Sequence, residues 1–509
     1  MAIIGEIIKS AVEVADAFIG KPNAAEAQKN VLRELLSKAE QTEFGKHYQF
    51  DKINNNSDPR RNFAHAVPYH SYDELREQWW QRVIDGEPNV TWPGKVDYFA
   101  VSSGTTSTKK HIPVTEDMLH AIQQGGLHQI KGIADFDLPA DFFETEILMF
   151  GSSTDLKKVN GHLEGEISGI SASRIPFWFE GFYRPGLEIA SINDWDERVL
   201  ALAKEAPNWN IGAISGIPSW IELMIKKVIA YHDVDTIHDI WPNFRVFTSG
   251  GVAFDPYRKG FERITAKPIT VIDTYLASEG YIATQIRKDT DAMALMVNNG
   301  IYFEFVPFLP ENMDEKGSVR QGVRALTIEE VEPNVDYVLI ISTVSGAWRY
   351  MIGDTISFTD VERAEIKITG RTKHFLNVVG SQLSVIQMNR AIDELCDDLE
   401  CSIKEFTVAA IEENDEYIHR WYLGIDDEMV DRLSNTEIAS KLDNLLRESN
   451  KNYNVARNKA LKKVEVRTVP ASMFQKWSES TKKKGGQVKV ARVMKEDAFQ
   501  EWESFVESV

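Results

Sequence analysis

Apolar side chains recur at helical spacing through the first part of the chain. This recurrence predicts a first helix over residues 3–19. A second predicted helix begins near Ala24, carries its apolar stripe through Leu36, and is expected to stop near Gly45, because glycine often follows the last helical turn. The two predictions together make the N-terminal region helical.

Polar residues interrupt this helical pattern over residues 51–62, and the interruption predicts a loop. Beyond the loop, Ser71 precedes Glu74 by three residues, which is the spacing of a capping box. A further helix is therefore predicted over residues 71–84.

From about residue 95, short β-rich runs alternate with helical runs, as in VDYFAV, EDMLHAIQQGGLHQI and ETEILMFG. Such alternation is typical of α/β architecture. Residues 335–359 add a predicted β-hairpin with its turn at Ser345–Gly346.

A domain boundary is predicted near residues 370–380, where glycines separate short strands. The rest of the chain alternates long helices with strands, as in QMNRAIDELCDDLE, EFTVAAIE and KKVEVRTV. The sequence therefore predicts a large α/β N-terminal domain over residues 1–372 and a smaller α+β C-terminal domain of ordinary size over residues 373–509.

Charge matters at two scales. The chain holds 57 Lys and Arg against 77 Asp and Glu, and its net charge of −20 argues against a general nucleic-acid binder, which needs a basic surface. Residues 451–493 are an exception, with twelve basic and two acidic residues. This basic segment is either a solvated surface or a segment that meets an anionic ligand, and the sequence leaves both interpretations open.

Cysteine and apolar usage favour a reduced, intracellular protein. Cys396 and Cys401 have neither zinc-site nor C-x-x-C spacing. Charged residues interrupt the apolar N-terminus, unlike a signal peptide, and no stretch reaches the ~20 apolar residues that span a bilayer. We therefore expect a cytoplasmic monomer that binds neither membranes nor nucleic acids.

The strongest local signal for chemistry is the run from Ser102 to Lys110, SSGTTSTKK, between two predicted strands. Small hydroxyl residues around one glycine let N–H and O–H groups converge on an anion, and lysines add charge-assisted hydrogen bonds. The Walker A spacing is absent. The run therefore predicts either a phosphate-binding loop or a plain turn.

Three further motifs lie at predicted strand ends. Gly250 and Gly251 follow the strand VFT, where a flat ligand could approach the backbone. Tyr275 and Glu279 lie four residues apart, so that a ring could stack on a base while a carboxylate holds a hard cation. Asp354 follows a glycine turn and could accept hydrogen bonds from a ribose. Each motif also has an ordinary structural explanation when taken alone.

The order of these motifs is more specific than any one of them. Along the chain the motifs are a phosphate-type loop, a glycine pair, Tyr-x-x-Ser-Glu, Tyr-x-x-Gly-Asp, Gly-Arg-x-Lys and a late Gly-Gly-Gln-x-Lys. This order resembles that of the adenylate-forming superfamily of acyl-CoA synthetases, luciferases and peptide-synthetase adenylation domains. More narrowly, the chain resembles the auxin-responsive-promoter (Gretchen Hagen) family of acyl-acid amido synthetases. The phrases LLSKAEQTEFGKHYQF, VSSGTTSTKKHIPVT and SGAWRYMIGD carry this resemblance, which extends over about residues 32–492.

The resemblance implies a role for each motif. The residues it implies for binding ATP are Ser102, Ser103, Thr105, Thr106, Gly250, Gly251, Tyr275, Ser278, Asp354 and Arg371. The loop hydroxyls would hold the phosphates, the glycine pair and the tyrosine would lie against adenine, and the aspartate and arginine would hold the ribose. Glu279 would bind magnesium, Lys489 would be the catalytic lysine that bridges substrate carboxylate and α-phosphate, and Lys373 would mark a hinge between domains.

The chain also departs from the family pattern. The phosphate loop is about one residue shorter than usual, and Ala277 stands where a serine is common. The lysine that reaches phosphate is therefore left open between Lys109 and Lys110. The aromatic run over residues 177–183 predicts either an acyl pocket or ordinary packing.

For function, the resemblance implies an ATP- and Mg²⁺-dependent acyl-acid amido synthetase. A small carboxylic acid would be adenylated with release of pyrophosphate, and an amino acid would then take the acyl group and release AMP. The C-terminal domain would be a mobile cap that carries Lys489 over the phosphates. Two alternatives stay open: an acyl-CoA ligase that uses the same adenylate, and a nucleotide-binding protein without turnover.

Overall fold

The protein, seen as a computed structural model, is described over residues 23–102, 110–176, 179–251, 254, 257–314, 317–372, 375–376, 383–399, 401–413, 416–426, 429–430, 432, 434–459, 461–481, 490–494 and 496–508. Its contacts divide the chain into two units: unit 1 is Met1–Phe254 with Gly260–Ile368, and unit 2 is Asp255–Lys259 with Thr369–Val509. The helix predicted over residues 3–19 lies outside the described residues.

The helices before residue 300 are α1 (Ala24–Ala39), α2 (Glu43–His47), α3 (Phe50–Asn54), α4 (Pro59–Ala66), α5 (Tyr72–Leu75), α6 (Gln81–Ile84), α7 (Glu116–Gly132), α8 (Ile167–Ser173), α9 (Leu187–Ala190), α10 (Trp195–Glu205), α11 (Pro218–His232) and α12 (Arg258–Ile264). A π-helical turn, Arg76–Trp80, joins α5 to α6. Short 3₁₀ turns lie at Ile133–Phe136, Ala140–Glu144, Glu180–Phe182, Ala206–Asn208, Ile237–Asp239 and Pro310–Asn312.

Two details of the N-terminal prediction are wrong. Helix α1 ends at Ala39 rather than near Gly45, which lies inside α2. A Cβ at Gly45 would come within 2.0 Å of the Ala39 carbonyl oxygen, so this glycine permits close backbone packing and does not end a helix. The loop predicted over residues 51–62 contains most of α3 and the start of α4, because Asp58 caps α4 by accepting from the Arg61 N–H.

The predicted capping box is confirmed. The Ser71 hydroxyl accepts from the Glu74 N–H, and the Glu74 carboxylate accepts from the Ser71 N–H over 2.7 Å. Helix α5 begins there, and the helical segment runs on through the π-helical turn to the end of α6.

The strands before residue 372 are β1 (Tyr98–Ser102), β2 (Lys110–Val114), β3 (Glu146–Met149), β4 (Lys157–Val159), β5 (His162–Gly165), β6 (Tyr183–Arg184), β7 (Ile211–Gly216), β8 (Val246–Gly250), β9 (Thr270–Ala277), β10 (Gly280–Thr284), β11 (Met293–Leu295), β12 (Ile301–Pro307), β13 (Asp336–Thr343), β14 (Tyr350–Asp360) and β15 (Glu365–Arg371). They form a four-stranded sheet, β2-β1-β5-β4, and an eleven-stranded sheet, β12-β13-β14-β15-β11-β10-β9-β8-β7-β3-β6.

The eleven-stranded sheet is mixed. Its neighbours β6, β3, β7, β8 and β9 pair in parallel, with helices α10 and α11 in the connections that lead into β7 and β8. From β9 to β10 the pairing becomes antiparallel. Strands β13 and β14 pair antiparallel, which confirms the hairpin predicted over residues 335–359. Parallel strands with crossover helices confirm the α/β class of this unit.

Unit 2 contains the helices α13 (Val385–Leu399), α14 (Asn435–Ser449), α15 (Lys451–Lys459), α16 (Ala471–Thr481) and α17 (Glu496–Ser508), and the strands β16 (Phe375–Leu376), β17 (Leu383–Ser384), β18 (Ile403–Glu413), β19 (Glu416–Ile425) and β20 (Leu461–Pro470). Strands β18, β19 and β20 form a sheet in that order, antiparallel and then parallel.

Side chains of this smaller sheet alternate between two cores. Val408 and Trp421 pack on one face with residues of α13, α14 and α15, while Ala409 and Tyr422 pack on the other with residues of α16 and α17. The period-2 alternation places helices on both faces, as in an α+β unit. The long helices and strands predicted for the C-terminal region are therefore confirmed.

Candidate active site

The carboxyl ends of three neighbouring parallel strands lie at one edge of the large sheet. Gly216 at the end of β7 is level with Ser249 of β8, and Gly250 is level with Thr274 of β9. Gly251 has φ +82°, a left-handed conformation that favours glycine. The predicted glycine pair thus ends a strand at the edge where ligands of open α/β sheets bind.

Ser278 and Glu279 form the two-residue turn between β9 and β10, in which Ala277 is level with Gly280. Glu279 is only 7% exposed. Gly280 has φ +150°, and a Cβ there would come within 2.9 Å of the Ile301 side chain. The tight turn and this packing hold a buried carboxylate at the edge of the sheet.

Tyr275 and Asp354 are brought together across the sheet. The Tyr275 hydroxyl donates to the Asp354 carboxylate, and both side chains are buried. Asp354 lies on β14 and Tyr275 on β9, so the fold joins two motifs that are far apart in sequence. This contact fixes the orientation of the carboxylate that the sequence assigns to the ribose.

The predicted phosphate loop joins the ends of an antiparallel hairpin. Ser102 at the end of β1 is level with Lys110 at the start of β2. The Tyr72 hydroxyl accepts from the His111 backbone N–H over 2.8 Å, and the Lys110 ammonium lies 5.4 Å from the centre of the Tyr72 ring. Tyr72 therefore supports the base of this hairpin.

Tyr350 is a member of this cluster that the sequence analysis did not identify. Its ring is fully buried against Trp80, with ring centroids 5.8 Å apart, and its hydroxyl makes no hydrogen bond of good geometry with a described residue. Burial, and then the nearby Glu279 carboxylate, raise the pKa of Tyr350 well above the ordinary value. Its place in the same Tyr-x-x-Gly-Asp motif as Asp354 was the available signal.

A buried ion pair anchors the strand that carries Tyr350 and Asp354. Arg349 donates to both carboxylate oxygens of Glu304, over 2.9 and 3.0 Å, and its planar guanidinium lies 4.1 Å from the centre of the Tyr69 ring. Burial lowers the pKa of Arg349, and the Glu304 charge more than restores it, so the net shift is upward. Arg349 has φ 41°, a left-handed conformation held by these contacts.

The remaining predicted site residues are placed less fully. Arg371 ends β15, is exposed, and belongs to unit 2. The residues that lie outside the described ranges are Ser103, Thr105, Thr106, Lys109, Lys373 and Lys489. Their roles stay predictions.

Histidines in this region have structural partners. His162 and His111 both approach the Glu164 carboxylate, over 3.1 and 3.3 Å.

Among the described residues, no three His, Cys, Asp or Glu side chains are grouped closely enough to hold a metal by themselves. None of the described helices is both long enough and apolar enough to cross a bilayer.

Three family models match the chain in order. The GH3 family N-terminal domain matches residues 21–202, the GH3 family central domain matches residues 294–371, and the GH3 family C-terminal domain matches residues 386–498. Together the three models cover well over half of the sequence.

Similar proteins agree with these matches. The indole-3-acetic acid-amido synthetase GH3.2 of Arabidopsis thaliana is 26% identical over 168 residues, which are 31% of this chain and 30% of that protein. The jasmonoyl-L-amino acid synthetase JAR6 of Nicotiana attenuata is 22% identical over 399 residues, which are 66% of each protein. The chain thus matches only part of the length of these curated relatives. A solved structure, GH3.15 acyl acid amido synthetase, superposes with a TM-score of 0.78 at 15% identity over 98% of this chain and 96% of that chain, which shows a shared fold.

Proposed function

Because the chain belongs to the GH3 family, the family that its motif order resembles, we propose that it is an ATP-dependent acyl-acid amido synthetase. It adenylates a small carboxylic acid, releases pyrophosphate, joins the acyl group to an amino acid and releases AMP. The observation that carries the proposal is the convergence of Tyr275, Asp354 and Glu279 at the carboxyl edge of the sheet.

Each of these residues suits one part of a nucleotide. The Asp354 carboxylate, already held by the Tyr275 hydroxyl, is an acceptor for the two ribose hydroxyls. Gly250 and Gly251 leave the end of β8 open to a flat base. In this assignment the Tyr275 ring lies against the base, and its hydroxyl stays bonded to Asp354.

The donor set suits a magnesium ion that shares its ligands with phosphate. Magnesium is usually bound through one or two carboxylates, water and substrate phosphates. Glu279 supplies one buried carboxylate, and the Tyr350 hydroxyl lies buried beside it. When bound, the ion would neutralise charge on the phosphates.

The chain's own groups then address the main barrier of adenylation, which is the meeting of two anions. The hairpin of β1 and β2 presents Lys110 near Tyr72, so positive charge lies at the base of the proposed phosphate loop. Preorganised cations and N–H donors stabilise the charge that develops as the acid attacks the α-phosphorus. In the second half-reaction, the amine attacks the acyl carbonyl and the AMP phosphate leaves.

Lys489 and the C-terminal domain complete the proposal. The basic segment 451–493 delivers Lys489 to the carboxylate and the α-phosphate, and the domain moves to exchange that lysine for the amine acceptor. We also propose that the protein is cytoplasmic and monomeric.

Carboxylate-dependent exchange of labelled pyrophosphate into ATP tests the first half-reaction. We expect exchange with at least one member of a broad panel of carboxylic acids, and dependence on added Mg²⁺. Nucleotide binding without exchange for any acid would contradict the proposal and favour a protein without turnover. Supplying amino acids or coenzyme A and weighing the product then separates the amido synthetase from an acyl-CoA ligase.

The role of Lys489 is tested by comparing the two half-reactions. We expect Lys489→Ala to slow adenylation by about 100-fold or more, as removal of a transition-state donor does, while amide formation from preformed acyl-adenylate changes far less. Lys463→Ala is the matched control, because Lys463 lies in the same basic segment, is exposed and pairs with Glu465. Equal losses in both half-reactions would contradict the role.

A further inference from the structure

Arg198 is a buried cation without a matching anion among the residues that the structure describes. It lies in the first turns of α10 and is only 2% exposed. Its guanidinium makes no hydrogen bond and no salt bridge with any described residue, and its Nε is completely enclosed. The buried Arg349, by contrast, donates to both oxygens of a buried carboxylate.

The groups around Arg198 pack against its guanidinium but do not neutralise its charge. The guanidinium lies 5.0 Å from the centre of the Phe150 ring. Burial lowers its pKa, whereas Tyr183 and then Glu166 raise it. Glu166 is the acidic group that acts on Arg198, but no salt bridge joins these two described residues, and the Glu166 carboxylate accepts a hydrogen bond from the Ser152 hydroxyl.

Tyr183 adds a second polar group to this place. Its side chain is 2% exposed, burial raises its pKa to about 12, and its hydroxyl makes no hydrogen bond with a described residue. One cation–π contact returns less free energy than the desolvation of an ion costs. If Arg198 only filled space, an apolar side chain of similar size would therefore make the folded protein more stable.

From this unpaired guanidinium beside the Tyr183 hydroxyl, we propose that Arg198 binds the carboxylate of a substrate. A planar guanidinium recognises a carboxylate through two parallel hydrogen bonds, and the low-dielectric surroundings strengthen them.

The position of Arg198 suits a substrate that extends away from the proposed nucleotide site. Phe150 follows β3, and its N–H donates to the Ser215 oxygen at the end of β7 over 3.1 Å. Strand β3 is two positions from β8, which carries Gly250, so these two strands lie about 10 Å apart across the sheet. The carboxylate is either a second carboxylate at the far end of an acyl acid or the carboxylate of the amino acid. This inference rests on the proposed function for the identity of the substrates.

The test compares Arg198→Met with a matched control, Arg184→Met. Arg184 lies next to Tyr183 on β6, but it is paired with the Glu146 carboxylate. Without ligand, we expect Arg198→Met to keep or raise the melting temperature, because it removes an unpaired buried charge. Arg184→Met should lower it.

The two sources of the carboxylate are separated by two assays. In pyrophosphate exchange, straight-chain dicarboxylic acids of five to eight carbons are compared with monocarboxylic acids of the same length. In aminolysis of preformed acyl-adenylate, each amino acid is compared with its methyl ester. In one of the two assays, we expect Arg198→Met to lower kcat/KM about tenfold or more for the compound with the extra carboxylate, and to leave its neutral counterpart nearly unchanged.

A binding measurement separates failure of this inference from failure of the proposed function. Adipate or a free amino acid should raise the melting temperature of the wild type and not that of Arg198→Met, whether or not exchange is observed. The inference is overturned if Arg198→Met destabilises the protein as much as Arg184→Met, or if it changes binding and turnover equally for charged and neutral compounds. Absence of exchange for every acid would bear on the proposed function alone.

Discussion

Replacing Arg349 with methionine removes the centre of a buried polar network in unit 1. The guanidinium donates to both oxygens of Glu304, and both side chains are only 4% exposed. It also donates to the backbone oxygens of Ala64 and Val67, over 2.8 and 2.7 Å. Methionine makes none of these bonds, so Glu304 would keep a buried charge without a counter-ion.

The magnitude follows from what is left unpaired. Breaking a buried ion pair by removing one partner costs about 3–5 kcal/mol, and each orphaned backbone oxygen adds about 1–3 kcal/mol. We therefore expect Arg349→Met to lower the free energy of unfolding of unit 1 by at least about 5 kcal/mol. Glu304→Gln should cost somewhat less, about 3 kcal/mol, because the guanidinium keeps its two backbone acceptors. The double variant should cost less than the sum by at least about 2 kcal/mol, since neither charge remains.

Hydrogen exchange measured by mass spectrometry can assign this loss to the correct part of the chain. Peptides that cover β13 and β14 should exchange faster in both single variants, whereas a peptide that covers β20 in unit 2 should not change. Two results would refute the reasoning: single variants that each cost under about 1 kcal/mol, or a double variant whose cost equals the sum of the two.

Three further outcomes are expected. His419 is fully enclosed, its ring nitrogens have no hydrogen-bond partner among the described residues, and burial lowers its pKa to about 3. Because the histidine of the unfolded chain takes up a proton near pH 6.5, unit 2 has its full stability above that pH and loses about 2 kcal/mol at pH 5. Urea unfolding at pH 7.5 and pH 5 should show this loss in the wild type and not in His419→Phe. Gly45→Ala should destabilise unit 1 by about 1–3 kcal/mol, because its Cβ would meet a backbone oxygen at 2.0 Å. Gly126→Ala in α7, where the Cβ has open space, should instead stabilise the protein by about 0.5–1 kcal/mol. Calorimetric melting temperatures of the two variants that move in the same direction would contradict this pair of predictions. Ser71→Ala should cost about 1 kcal/mol through the lost cap, and an unchanged urea midpoint for unit 1 would show that the capping box adds nothing.

Local patterns predicted those elements whose cause is local. The capping box at Ser71, the β13–β14 hairpin and the α/β alternation depend on residues close in sequence, and all three are present. The motif order also led to the correct family. The predictions for Gly45 and for segment 51–62 were wrong for a related reason. Glycine, asparagine and proline often end helices, but here Asp58 caps a helix, and Gly45 leaves room for a neighbouring carbonyl group.

The partners of the candidate site could not be predicted in this way. Tyr275 and Asp354 lie on strands that are separated in the sheet by β10, β11 and β15, so their contact depends on how the whole sheet is arranged. The Tyr-x-x-Gly-Asp motif contains Tyr350, but the pattern assigned a role only to its aspartate. Its burial beside Glu279 follows from tertiary packing that no spacing rule contains.

The two buried arginines show which information the sequence lacks altogether. Arg349 follows a tryptophan in a strand-rich segment, and Arg198 lies in a charged helical run, WDERVLALAKE, whose first turn suggests an exposed face. Only the fold reveals that both are enclosed, and that one meets Glu304 while the other meets no carboxylate among the described residues. Since both carry the same charge in similar burial, the difference between them lies in the missing counter-ion. A paired buried arginine is explained by the protein that surrounds it, whereas the unpaired Arg198 is explained by an anion that arrives with the substrate.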